Sequence, residues 1–222
     1  MEVKQKIVVI GAGGLARETK YLIDDINRSH PTYEFIGYLV SDLNHLTERD
    51  STEEVIGDLS WFDAHPEPIN AVIGIGTPKY RIDVANAITA RAKHVAFPVL
   101  IHPNVIYDRK SCKFGQGVVI CASNVLTVNI QIKEFAWLNL ACTVGHETII
   151  GRGSVLNPTT NISGGVKIGD GVLVGTGVQI LQYIEINDSA VVGAGSVVTK
   201  NVLAGITVVG SPAKPLVKPV LG

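Results

Sequence analysis

The sequence predicts a small α/β domain followed by a parallel β-helix of about five coils. Two observations carry that prediction. From Phe114 through Ile120, Leu126, Ile132, Leu138, Val144 and onward to Val192 and Val198, every sixth residue is large and apolar, fifteen positions without an insertion. Ahead of them, the first hundred residues alternate short apolar runs with helical patterns. A period of six fits neither an amphipathic helix nor a half-buried strand; it fits a hexapeptide solenoid, whose short strands turn repeatedly and stack. Three hexapeptides close one triangular coil, so fifteen make five, a prism about 24 Å tall at strand spacings of about 4.8 Å.

The first domain is expected over residues 1–101. Lys6 to Ile10 is an apolar run typical of a buried parallel strand. It enters Gly11-Ala12-Gly13-Gly14-Leu15-Ala16, a G-x-G-x-x-A turn, and a helix with Leu15, Leu22, Ile23 and Ile26 on one face follows. Further strands are expected at Phe35 to Val40, Ala71 to Ile75 and Val95 to Ile101, with a helix near Lys79 to Arg91. This alternation implies a parallel sheet with Rossmann-like winding. Leu43 to Glu54 is polar and reads as a mobile loop.

His102-Pro103-Asn104 marks the passage into the second domain, residues 102–222. The residue after each sixth position is Gly at 115, 145, 151, 169, 175 and 193, and Asn at 139, 157 and 187. Those types most readily take positive φ, so sharp bends are expected there. Two residues before each sixth position the side chains are mostly small or branched, Val118, Ala136, Cys142, Ser154 and Ser196 among them, with Asn124 the exception.

Composition narrows the function. The net charge is −1 and Lys and Arg form no long run, which argues against nucleic acid and anionic membranes as partners. The start of the chain offers neither a signal segment nor a membrane span, so no membrane insertion is expected. Cys112, Cys121 and Cys142 are odd in number and lack C-x-x-C spacing, which suggests core packing in a reducing, cytoplasmic setting.

Two places carry chemistry. A glycine turn between strand and helix is where backbone N–H groups and the helix dipole receive a phosphate. Gly11, Gly13 and Gly14 are therefore candidate substrate-binding residues, with Asp42 placed to reach a ribose or base, and Gly76 after the third strand. About a hundred residues is lean for a dinucleotide, and a nucleotide-sugar diphosphate fits better. A glycine turn that merely bends the chain is the competing reading. Of the six histidines, only His146 lies within the repeat, just past a corner and next to Glu147. Histidine titrates near neutrality and suits the removal of a proton from an amine or alcohol.

Asn139 to Glu147, Gly164-Gly165-Val166-Lys167-Ile168-Gly169 and Val208-Val209-Gly210-Ser211-Pro212-Ala213-Lys214 resemble the bacterial nucleotide-sugar acyltransferases. These are left-handed β-helix proteins, among them N-acetyltransferases of UDP-4-amino-sugars and GDP-perosamine and sialic acid O-acetyltransferases. The resemblance implies a left-handed coil and acetyl-CoA as cosubstrate, with no metal. It implies His146 as general base, Glu147 as its orienting partner and Gly164 as oxyanion donor. Gly175 and Ala194 would leave room for the pantetheine arm, while Lys200, Pro212, Lys214 and Lys218 would meet coenzyme A. It further implies a homotrimer with sites between prisms, Trp137 and Tyr183 being candidates for an apolar face, and a place in surface-polysaccharide or glycan biosynthesis. Leu15 and Val155 stand where members acting on UDP-amino-sugars carry histidines, which leaves O-acetylation open beside N-acetylation. A solenoid that binds without catalysing is the other alternative. A γ-type carbonic anhydrase would need three converging histidines, and the repeat has one.

Overall fold

The computed structural model describes residues 4–50 and 52–216. The apolar run from Lys6 becomes β1 (Gln5–Ile10), the central strand of a five-stranded sheet. Its partners are β2 (Tyr33–Leu39), β3 (Val55–Gly57), β4 (Ile69–Ile73) and β5 (Val95–Ala96) in the order β3-β2-β1-β4-β5, all parallel. Helices α1 (Gly14–Ser29), α2 (Trp61–Ala64) and α3 (Pro78–Arg91) make the connections. α1 buries Ala16, Thr19, Leu22 and Ile23, the face its spacing predicts.

The polar segment 43–54 is more anchored than a mobile loop. It contains short 3-10 turns at Leu43–His45 and Thr52–Glu54. Asp50 is buried, pairs with Arg17 of α1, and accepts the Thr47 N–H at 2.7 Å and the Thr47 hydroxyl at 2.9 Å.

The solenoid follows its register without slippage. Its first face begins with Lys113–Phe114 and its third with Val125–Leu126, five strands each. The second face begins with Leu100–Ile101 and Val119–Ile120 and ends with Thr207–Val209 and the antiparallel Lys214–Pro215. From Lys113 to Val198 each rung pairs with the residue 18 positions on, as in Thr143 with Asn161 and Val144 with Ile162, while at the ends Leu100 pairs with Val119 and Val191 with Thr207. The positions two residues before each sixth residue are interior: Val118, Asn124, Ala136, Cys142, Thr148, Ser154, Thr160 and Ser196 are all fully buried. Cys112, expected among them, is only half-buried at the open end of the stack.

The bends lie two residues later than the sequence suggests. Positive φ falls at every sixth residue from 117 to 195, fourteen positions of which six are Gly and eight are not, including Phe135, Glu147 and Tyr183. The glycines at 115, 145 and 175 answer a different demand. A Cβ at Gly145 would lie 2.5 Å from Gly164 N, and one at Gly175 2.5 Å from Ala194 N, on the next coil's backbone. Close stacking, not backbone handedness, selects glycine there.

The two domains share their cores. Val119, Cys121, Trp137 and Val155 of the second face cluster with Ala16, Leu22, Tyr38 and Val72. Trp137 is therefore fully buried beneath the α/β domain and is not available to an intersubunit face. Leu15 and Val155, the two positions without histidine, both pack in this cluster. Arg81 of α3 is the joint's polar centre. Its guanidinium is completely buried with no carboxylate partner among the described residues, stacks 4.8 Å over the Trp137 ring, and donates to the carbonyls of Phe135 at 2.7 Å, Ile73 at 2.6 Å and Ile75 at 2.9 Å. Desolvation pulls its pKa down to about 9.

Arg81→Ala should lower unfolding stability by at least about 3 kcal/mol, since three carbonyls lose their donor and a large side chain leaves a void. Urea denaturation checks this; a loss below about 1 kcal/mol would mean that the joint does not depend on the guanidinium.

Candidate active site

His146 sits where the third face turns into the first. Thr143–Val144 ends the strand, Gly145 lets the coil close against the next, and the turn throws the imidazole outside the prism, half-exposed. Its carbonyl accepts the Gly165 N–H at 2.7 Å, which ties this turn to the one above. Nδ1 lies 3.6 Å from Glu147 Oε2, too long for a hydrogen bond but close enough for attraction. The ring lies over Gly164: a Cβ there would overlap Nε2. Among the described residues the Gly164 N–H makes no hydrogen bond. A ring nitrogen and an open backbone donor thus share one small space, the arrangement that proton removal and oxyanion stabilisation require.

The 18-residue step builds a column: Val128, His146, Gly164, Gln182, Lys200. Lys200 stands three coils above His146, about 14 Å away along the stack. Gly175 and Ala194 are elsewhere. They stack on each other at the corner between the second and third faces, a different corner from that of His146. Pro212 and Lys214 belong with them. The tail folds over the last coil there, Gly210 N–H donating to Ser196 Oγ at 3.0 Å and Ala213 N–H to Val197 O at 2.8 Å, with Lys214 in the closing antiparallel strand. Lys218 lies outside the described residues.

The α/β candidates gather at the carboxyl end of the sheet. Gly11, at φ +105°, packs against the Gly74 carbonyl, where an added Cβ would come within 3.1 Å. Gly13 occupies the N-cap of α1 without a side-chain cap, which leaves the helix's first N–H groups facing out. A cavity of about 410 Å³ opens there, lined by Gly13, Gly14, Arg17, Glu48 and Asp50. A second, of about 630 Å³, extends beyond β2 and β3 along Val40, Ser41, Leu46 and Asp58. Asp42 follows β2 by three residues, caps the Leu43–His45 turn and accepts the Asn44 N–H at 2.9 Å. Gly76 follows β4, beside Leu15. This is the crevice at the carboxyl ends of a doubly wound sheet, where ligands bind. Arg17 and Asp50, which shape it, escape sequence reading because their pairing joins distant segments.

Two further chemistries are weak. Burial pushes the Cys121 thiol up to about 12 and the Cys142 thiol up to about 11, which keeps both from serving as thiolate nucleophiles. No group of three or more His, Cys, Asp or Glu able to hold a metal occurs among the described residues. Nor is any described helix long and apolar enough to cross a membrane.

Known proteins agree with this architecture. Residues 6–88 match the PglD N-terminal domain. The acetyltransferase domain of PglB from Neisseria gonorrhoeae FA1090, also solved with acetyl coenzyme A, superposes with a TM-score of 0.84 at 28% identity, covering 96% of this chain and all of that one. PerB from Caulobacter crescentus, solved with CoA and GDP-perosamine, shares the fold with a TM-score of 0.82 at 23% identity over 96% of this chain and 98% of that one. An acyl-[acyl-carrier-protein]–UDP-N-acetylglucosamine O-acyltransferase of Pseudomonas entomophila is 28% identical over 64% of this chain and 49% of its own; the chain spans about half the length of the curated relatives it matches. With a PglD-type first domain joined to a solenoid that superposes on the PglB domain, the chain is similar throughout to hexapeptide-repeat nucleotide-sugar acetyltransferases.

Proposed function

We propose that the protein transfers an acetyl group from acetyl-CoA to an amino or hydroxyl group of a nucleotide-linked sugar. The observation that carries this is the His146 imidazole lying over Gly164, whose N–H is open. In this reading the acceptor's nitrogen or oxygen attacks the thioester carbon and gives its proton to Nε2 of His146. The carbonyl oxygen, now an oxyanion, takes the Gly164 N–H, a donor worth about 3 kcal/mol. Collapse breaks the C–S bond, and His146 returns the proton to the departing thiolate of coenzyme A. Glu147 attracts the imidazolium as it forms. Direct attack is favoured because the thiols of Cys121 and Cys142 are buried and stay protonated, which leaves them poor nucleophiles.

The acceptor's nucleotide would occupy the crevice formed by Gly11, Gly13, Gly14, Asp42 and Gly76, with its diphosphate at the α1 N-terminus. That crevice belongs to a domain docked on the second face, whereas His146 stands at the opposite corner, where third and first faces meet. On this reading a sugar bound in one chain's crevice meets the imidazole of a neighbouring copy. Gly175, Ala194, Pro212 and Lys214, at another corner, are likewise assigned to a donor that lies against a neighbouring copy's His146. A homotrimer with a site in each cleft meets both requirements. Cytoplasmic supply of nucleotide sugars for surface glycans is the setting this chemistry fits.

His146→Ala should cut acceptor-dependent thiol release from acetyl-CoA by about 10² to 10⁴-fold while the oligomer elutes unchanged. A panel of UDP- and GDP-linked amino- and hydroxy-sugars serves as acceptors, and a fully active variant would sink the assignment. Gly164→Ala should reduce turnover by at least about 10²-fold, because the methyl group takes the imidazole's space. Activity near wild type would show that the ring need not lie there.

A further inference from the structure

The corner that carries His146 carries a second ring. Tyr183 follows Gly165 by 18 residues, as Gly165 follows Glu147, in a column beside that of His146, Gly164 and Lys200. Its ring lies against Gly165, where a Cβ would overlap Tyr183 Cδ1, just as one at Gly164 would overlap His146 Nε2. An imidazole from the coil below and a phenol from the coil above thus meet one two-glycine turn.

Folding gains little from this tyrosine. It adopts φ +60°, strained for a bulky side chain, and remains 69% exposed. It stands at the His146 corner, not on a flat face, where the proposed trimer would also bring a neighbouring copy.

We infer that Tyr183 is a specificity-determining residue that contacts the acceptor, its open ring face receiving the sugar while the group to be acylated reaches Nε2 of His146. This rests on the acyl-transfer reading above. Lys200 heads the His146 column and suits the phosphates of the donor. The neighbouring column of Glu147, Gly165 and Tyr183 has no cation, and its aromatic body with a polar tip matches a sugar's C–H face and hydroxyls.

The test compares wild type, Tyr183→Phe and Tyr183→Gly with whichever UDP- or GDP-linked amino- or hydroxy-sugar gives the fastest CoA release. Tyr183→Gly should raise KM for that acceptor about tenfold and leave KM for acetyl-CoA unchanged, and Tyr183→Phe should keep most of the affinity. Glycine relieves the left-handed strain, so the variant should unfold at no lower temperature. A rise in KM for acetyl-CoA alone, or no change in either constant, overturns the inference with the transferase intact. Wild-type protein that releases no CoA with any acceptor overturns the transferase reading itself.

Discussion

Everything in the second domain depends on one spacing, the distance between stacked coils, about 4.8 Å. Eighteen residues return the chain to the same corner one rung higher, so a side chain is addressed by its position in the repeat. The approach is close enough that Gly115, Gly145 and Gly175 have no room for a methyl group; at Gly115 it would lie 2.6 Å from Glu134 N. The interior then has to satisfy its polar members on the backbone of adjacent coils. Ser154 Oγ donates to Gly169 O at 2.7 Å and accepts the Val172 N–H at 2.9 Å, while Asn124 donates to the carbonyls of Cys121 and Asn139, each at 2.8 Å. Small hydroxyl-bearing residues suit the inward positions because they bond upward and downward without widening the stack.

That periodicity is why the solenoid was legible in the sequence while its corners were misplaced. Fifteen apolar positions report an interior directly. A glycine reports only that something at its position forbids a side chain, and proximity and positive φ leave the same mark. Phe135, Glu147 and Tyr183 occupy left-handed positions that residue type alone would never suggest. The α/β domain was readable from apolar runs and its glycine turn, apart from β3 and α2, which are too short to show a pattern, and the run Val95 to Ile101, which splits: Val95–Ala96 closes the α/β sheet while Leu100–Ile101 pairs with Val119–Ile120 of the solenoid. His146, Glu147 and Gly164 could be placed on one corner by counting, since 146 and 164 differ by one coil. The same counting, done by face, sends Gly175 and Ala194 to a different corner. What no count supplies is which face the first domain covers, because that depends on contacts between segments far apart, such as Arg81 with Phe135.

The docking of the first domain sets the geometry of the site. Arg81 reaches from α3 to carbonyls at the end of β4 and at a solenoid corner, so the crevice beside Gly74 and Gly76 is held at a fixed angle to the prism. A buried cation with no carboxylate is costly, but three carbonyl acceptors and the Trp137 face replace much of its lost hydration. With the second face covered, the other two faces and the corner between them are left for neighbours and for chemistry.

A corner of a solenoid can change without disturbing the core, since its side chains project outward while the interior positions alternate with them. The turn at Gly164 and Gly165 shows how this freedom is used. Both residues give up a side chain, and both vacancies are filled from other coils, one by His146 and one by Tyr183. The first ring is held against an open backbone donor, and its position follows from the absence of a Cβ at Gly164. The second is held in a strained turn with most of its surface in solvent. On the proposed reading, catalytic and recognition groups would be set independently on adjacent columns, one taking the proton and the other holding the acceptor that gives it up.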